Sequence, residues 1–327
     1  MLLKKPGRTF DRRLVRVETL SAATWQVEAD ACRLAWVGIE SVFYSRAMES
    51  LANKVAVITG AGSGIGRGMA LAFARAGSNL VLSDIDGARL NEVLAEVGAL
   101  GVEAIAVSTN VADAASMDNL AAEAFKRFER VNVVCNNAGV AGGSLSSSGI
   151  DAAEWKWVLD VNLWGVIHGH RVFLPHMLEH GDGHIVNTSS MAGHFPGHSA
   201  YGASKFAVAG ISEGLFHELA DMKKGVGISC LCPGWVNTNI ADSMANRPEW
   251  VAPRAELEAD PAREFRAAMV RDFLRGGMAP EKVGDLVVDA VLSDRFWVFT
   301  DLAMVARTAE RHRAIEENRN PVRTTLG

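Results

Sequence analysis

VITGAGSGIG, residues 57–66, decides the fold. A short apolar run breaks on glycines at 60, 62, 64 and 66, and GRGMALAFARAG (66–77) then takes up a helical period that ends at Gly77. Glycines let a backbone turn tightly and approach a ligand closely. A helix that starts there offers free N–H groups and a positive dipole end to a diphosphate. The next apolar run, NLVLSD, ends on Asp84, eighteen residues beyond Gly66. An acid at that place accepts hydrogen bonds from ribose hydroxyls and repels an added phosphate, which predicts NAD rather than NADP. Glycine clusters alone are common; the strand before, the helix after and the acid make this one specific. The spacing is not GxGxxG, because the sixth place is Ile65 counted from Gly60 and Arg67 counted from Gly62. It is TGxxxGxG, on Thr59, Gly60, Gly64 and Gly66.

Outward from this turn the chain keeps one rhythm. Apolar runs at KVAVIT, NLVLSD, VEAIAVST, VNVVCNNAG, HIVNTSS, GISCLC and FWVFT alternate with helical patterns, among them 88–101, 115–130, 151–179, 200–222 and 280–293. Alternation of this kind means parallel strands with right-handed crossovers, and nearly all-apolar strands mean a sheet covered on both faces. The prediction is an α/β fold: a doubly wound Rossmann-type parallel sheet of about seven strands in a single domain, 48–327. Residues 1–47 differ. The first part is basic and turn-rich, then a helical spacing follows at Val27, Ala31, Leu34 and Val37; the segment reads either as an extension that packs on a neighbour or as an over-translation upstream of Met48. The stretch 235–278 is long and irregular at first, and reads as a substrate lid with Trp235, Ile240, Met244 and Trp250 on its inner face.

The 327 residues carry a formal net charge of −5 with a pI near 6.0, and no block of Lys or Arg. That excludes attraction to nucleic acid or an anionic membrane. No apolar run is long enough to span a bilayer, and the N-terminus lacks the apolar centre of a secretory signal, so a cytoplasmic protein is expected. Cys32, Cys135, Cys230 and Cys232 show no metal spacing and read as small buried hydrophobes. His168, His170, His176, His180 and His184 crowd together without a matching set of acids, so no metal is expected and they read as helix and loop surface. His194 and His198 flank Pro196 and read as solvated loop or substrate mouth.

AYGASKFAV, residues 200–208, puts one of only two tyrosines four places ahead of a lysine. Positions i and i+4 stack on one helical face. A phenol of ordinary pKa is a poor base near neutrality, and a fixed ammonium favours its phenolate. Tyr201 with Lys205 can then exchange a proton with an alcohol or carbonyl. A half-buried tyrosine and a solvated lysine would carry the same letters; their place after a serine-bearing strand favours chemistry.

These motifs resemble the short-chain dehydrogenase/reductase family from about Lys54 to Thr238, and more weakly to Thr300. NNAG (136–139), VLDVNLWGV (158–166), IVNTSSMAG (185–193), YGASK (201–205) and CPGWVNT (232–238) follow the glycine turn in the family's order. The resemblance implies Ser190 as the serine that holds the substrate oxygen, Tyr201 as acid and base, Lys205 also gripping the nicotinamide ribose, and Asn162 holding a water behind Lys205. It implies cofactor contacts from Gly60, Ser63, Gly64, Ile65 and Gly66, with Asp84 on the ribose. Asn110, Val111, Asn137, Ala138 and Gly139 fall on the adenine side. Pro233, Gly234, Val236 and Thr238 fall along the nicotinamide. Two departures stand out. Ser190 and Tyr201 are only eleven apart, a loop two residues shorter than the family's, which keeps Ser189 as a second candidate. Asn110 replaces the usual aspartate but keeps a carbonyl acceptor.

The expected activity is hydride transfer between NAD(H) and a secondary alcohol or ketone, bulky and hydrophobic, in a homodimer or homotetramer. An NADPH-dependent ketoreductase would recruit Arg67 or Arg89 for the phosphate, against Asp84. A dinucleotide-sensing protein without turnover would need the glycine turn but not Ser190, Tyr201 and Lys205.

Overall fold

The computed structural model describes residues 48–142, 151–251 and 261–321. The expected extension 1–47, with its helix and Cys32, lies outside the described residues. In chain order the elements are β1 (Val55–Thr59), α1 (Gly64–Arg75), β2 (Asn79–Asp84), α2 (Gly87–Gly98), β3 (Ala104–Ser108), α3 (Ala114–Phe128), β4 (Val133–Asn136), α4 (Ala152–Leu159), α5 (Gly165–His180), β5 (Gly183–Thr188), α6 (Ala200–Met222), β6 (Val226–Cys232), α7 (Pro261–Arg275), α8 (Pro280–Leu292), β7 (Trp297–Phe299) and α9 (Leu302–Glu316). The seven strands form one sheet in the order β3-β2-β1-β4-β5-β6-β7, every pair parallel.

Alternate strand residues feed two cores, as a sheet covered on both faces requires. On one face Ala56, Ile58, Leu80, Leu82 and Cys135 pack under Met69 and Phe73 of α1 and Val283 and Val287 of α8. On the other, Val55, Val57, Val81, Val134 and Ile185 pack under Met117 and Leu120 of α3 and Phe173 and Met177 of α5. Helices α1 and α8 meet backbone to backbone: a Cβ on Gly68 would lie 2.2 Å from the Pro280 carbonyl oxygen, and one on Gly284 2.2 Å from that of Gly68.

Three elements differ from expectation. The helix expected over 151–179 is α4 and α5 joined by a π-helical turn, Asp160–Trp164, so the run is continuous but widened at Asn162. The lid segment contains a 3-10 turn, Ile240–Asn246, and the helix α7. Helix α9, after the last strand, was not expected; only Met304 and Ala314 of it are buried, so its sequence lacks a continuous apolar stripe.

Strand order reverses between β1 and β4, which leaves a crevice beyond their C-terminal ends. The glycine turn after β1 and the NNAG segment after β4 face each other across it.

Candidate active site

Side chains cap the N-termini of α2 (Asp86), α3 (Asp113), α4 (Asp151), α6 (Ser199) and α9 (Asp301). Helix α1 is different. Ser63 stands at its N-cap without a side-chain hydrogen bond, and no acid occupies its first turn. Its orphan amides are therefore left for an anion. Gly60 and Gly64 have φ of +66° and +51°, which only glycine adopts freely. A Cβ on Gly66 would fall 2.0 Å from the Gly60 carbonyl oxygen, so the turn closes on itself and leaves its outer side open. Ile65 points away and packs on the core. Thr238 lies over the turn, its methyl 3.1 Å from where a Gly64 Cβ would stand. This cradle fits a dinucleotide diphosphate.

Asp84 ends β2 beside it. One carboxylate oxygen accepts from the Gly62 amide at 2.8 Å, the other from the Asp86 amide at 3.0 Å. The backbone fixes the carboxylate, and each oxygen keeps a lone pair for a hydroxyl. The two arginines considered for an added phosphate are both engaged. Arg67 pairs with Glu96 and Glu281, at 2.7 and 2.8 Å, and Arg89 with Asp86 at 3.3 Å.

Across the crevice, Thr59 Oγ1 accepts from the amides of Asn137 (2.9 Å) and Ala138 (3.1 Å), tying NNAG to the glycine turn. A Cβ on Gly60 would lie 2.9 Å from Ala138 Cα. Asn110 is exposed, and its carbonyl is partly used: it accepts from the Ala112 amide at 3.1 Å. The Val111 carbonyl meets His168 Nδ1 at 3.0 Å.

Ser190, Tyr201 and Lys205 come together at the mouth. The Tyr201 phenol, half-buried, lies near the Ser190 hydroxyl, close enough for that hydroxyl to favour its ionised form. Lys205, 3 % exposed, donates from Nζ to the Thr188 carbonyl at 2.8 Å and stands 5.7 Å from the Tyr201 ring centroid. Ser189 turns inward instead: its Oγ donates to the Lys205 carbonyl at 2.7 Å. The shortened loop thus presents Ser190 and not Ser189 to the phenol. Pro233 stands behind Ser190, whose Oγ is 3.4 Å from its carbonyl oxygen, and the Gly234 amide donates to Thr300 Oγ1 at 2.9 Å.

One expectation is corrected, and three residues take definite places. Burial outweighs the nearby Ser190 hydroxyl and raises the Tyr201 pKa above its ordinary value, the reverse of the expected direction. Burial also lowers Lys205 to about 8. The Asn162 side chain is engaged by the protein: Oδ1 accepts from the Val140 amide (2.8 Å), and Nδ2 donates to the Val140 carbonyl (2.9 Å) and Ser204 Oγ (3.0 Å). It sits beside Lys205 nonetheless, since a Cβ on Gly139 would be 3.3 Å from Asn162 Oδ1 and 3.5 Å from Lys205 Nζ. The Val236 side chain is turned into the core at 2 % exposure, which leaves only its backbone to face a cofactor.

The histidines are not all surface residues. His184 is fully buried on β5 with Nε2 2.8 Å from Ser229 Oγ, and His170 meets Asn187. His194 is half-buried. Its Nε2 is 3.3 Å from Cys232 Sγ, its ring stands edge-on to Trp297 and Phe299, and burial with nearby Arg311 and His312 lowers its pKa. His198 is exposed. Of the four residues expected inside the lid, Trp235 stacks on Phe273 at 5.0 Å and Met244 packs by Val140 and Trp157, but Trp250 is 52 % exposed. Thr188, Ser204 and Ser243 were not singled out by sequence: the Thr188 carbonyl holds Lys205, Ser204 Oγ accepts from Asn162, and Ser243 Oγ accepts from the Ala141 amide at 2.9 Å. These bonds exist only once the fold has formed.

Among the described residues no three His, Cys, Asp or Glu side chains converge as a metal site, and no helix is long and apolar enough to cross a membrane.

Residues 54–249 match the family model described as short chain dehydrogenase. The chain is 41% identical over 199 residues to the oxidoreductase SadH of Mycobacterium tuberculosis, covering 59% of this chain and 71% of that one. It is 34% identical over 258 residues to the 1-deoxy-11-beta-hydroxypentalenate dehydrogenase of Streptomyces exfoliatus, covering 77% and 84%. A short-chain dehydrogenase/reductase from Burkholderia phymatum, solved in complex with NAD, superposes with a TM-score of 0.81 at 38% identity, over 86% of this chain and 100% of that one.

Proposed function

The chain belongs to the short-chain dehydrogenase family, and from that premise we propose that it moves a hydride between NAD(H) and a bulky, hydrophobic secondary alcohol or its ketone. What supports the chemistry is one observation, the meeting of Ser190, Tyr201 and Lys205 at the mouth of the glycine-turn crevice. When bound, the nicotinamide supplies or accepts the hydride. Ser190 holds the substrate oxygen, and Tyr201 gives it a proton or takes one. Lys205, held by the Thr188 carbonyl, keeps a positive charge beside the phenol and favours its ionised form. Asn162 fixes the loop after β4 against Ser204, the residue next to Lys205.

The fixed Asp84 carboxylate and the engaged Arg67 and Arg89 support NAD over NADP. Trp235, Met269, Phe273 and Met278 give an apolar part, beside Asp272, Thr300 and Asp301, to the wall of an open cavity of about 660 Å³, which has room for a large substrate. The 34%-identical relative is named for a hydroxylated pentalenate, a compound of that kind. The half-exposed Trp164 fits a homodimer or homotetramer.

A panel of secondary alcohols assayed with NAD, read by the absorbance of reduced cofactor, tests the proposal. Turnover of at least one bulky alcohol is expected. No turnover across the panel rejects the activity, and a strong NADP preference rejects the role given to Asp84.

A further inference from the structure

Asn187 lies on β5, fully buried, three residues before Ser190. Its Oδ1 accepts from Asn136 Nδ2 at 2.9 Å, and its Nδ2 donates to Ser212 Oγ at 2.9 Å and faces His170 Nε2 at 3.0 Å. The Ser212 hydroxyl donates to the Val208 carbonyl at 2.6 Å, so towards Asn187 it accepts. His170 Nε2 faces both ends of the same amide, 3.0 Å from Nδ2 and 3.1 Å from Oδ1, and its tautomer sets whether it accepts from the one or donates to the other. Burial lowers the His170 pKa against the opposing bond from Asn187, which favours the neutral ring.

The three partners stand on different elements. Ser212 is seven residues past Lys205 on α6, two turns along the same face. His170 is eight residues past Asn162 on the run through the π turn into α5. Next to Asn187, the Thr188 carbonyl holds Lys205 Nζ. Gly169 lets α5 come this close, since a Cβ there would be 1.9 Å from Asn136 Oδ1. That oxygen finds no hydrogen-bond partner, a cost that a contact serving stability alone would avoid.

We propose that Asn187 is a positioning residue, its single amide locking β5, α5 and α6 so that Ser190 meets Tyr201 and Lys205 in one geometry. The proposal rests on the dehydrogenase reading above. Apolar packing at this place would allow sliding; a buried amide with three directional partners does not.

The chain has two tyrosines, so in a Tyr44→Phe background the full-length protein reports Tyr201 alone by tyrosinate absorbance. His170→Phe keeps a ring and removes the polar partner; His170→Gln restores a group that can donate or accept at similar reach. His170→Phe is expected to move the Tyr201 titration up by about half a pH unit, as its contact with Ser190 loosens. It is also expected to lower kcat roughly tenfold with the KM for NAD nearly unchanged, because orientation and not binding is lost. His170→Gln should return both towards the parent. Ser212→Ala against Ser212→Thr repeats the comparison if His170→Phe does not fold. The proposal is overturned if the variants lacking the polar partner leave the Tyr201 titration in place, or if the rescuing variants shift it equally. A parent protein that turns over no alcohol counts against the dehydrogenase reading instead, and the titration still decides the positioning.

Discussion

Lys205 carries an ammonium to a place that is 3 % exposed, with one carbonyl for company. Its pKa falls from 10.5 to about 8, so at neutral pH the charged form costs about 3 kcal/mol of folding stability. Because the folded value is the lower one, the cost is complete below about 8 and fades as pH climbs towards 10.5. Lys205→Met should therefore melt higher than the parent at pH 7 while losing turnover, with the gap closing above about 8; thermal melts at both pH values check it. Tyr201 has the opposite displacement, its pKa raised by burial, so the phenol keeps its proton at neutral pH. Ketone reduction needs that proton and alcohol oxidation needs the phenolate. Oxidation should accelerate as pH rises towards the Tyr201 value, and reduction should slow; initial rates in both directions check it. Tyr201→Phe should cut turnover by roughly a thousandfold or more and leave NAD binding intact, measured by steady-state rates and calorimetry. The pair was legible in sequence because i and i+4 is a local rule. The choice between Ser189 and Ser190 was not, since it turns on which hydroxyl finds the Lys205 carbonyl two elements away.

The glycine turn and the strand ends act as units. A methyl on Gly66 meets the Gly60 carbonyl oxygen at 2.0 Å and Asn137 Nδ2 at 2.7 Å, an amide itself held by the Thr59 carbonyl. Gly66→Ala should cost on the order of 3 kcal/mol and abolish NAD binding, seen by denaturant melts and fluorescence titration. The strands were readable from sequence because buried parallel strands are short, almost wholly apolar and bounded by turn residues. The π turn was not. Asp160–Trp164 reads as ordinary helix, and its widening is stabilised by Asn162 reaching Val140 and Ser204, partners 22 and 42 residues away. Helix α9 escaped for a different reason, since a helix lying on the surface with two buried residues has almost no apolar period to detect. The partners of His194 were not legible, because the loop that carries it folds onto β6 and β7, against Cys232, Trp297 and Phe299.

At the scale of the molecule, the strands all run the same way, so they deliver their C-terminal residues to one rim. Thr59, Asp84, Asn136, Thr188 and Cys232 end β1, β2, β4, β5 and β6 next to the residues proposed for chemistry. Met48 and Leu51, before β1, are already part of the core, at 8 % and 2 % exposure. A chain begun at Met48 should keep its melting temperature and activity, whereas one begun at Lys54 should melt several degrees lower; calorimetry of the two truncations separates them. The opposite rim has its own bonds. Lys54 Nζ and Asn132 Nδ2 both donate to Asp182 Oδ2, at 2.7 and 2.9 Å, and Asn132 Oδ1 accepts from the Val55 amide at 3.0 Å. That floor holds none of the residues proposed for chemistry, so it is where the protein can be handled. Chemical attachment beside Glu103, at the foot of β3, would tether the protein to a solid support with its mouth turned to the liquid.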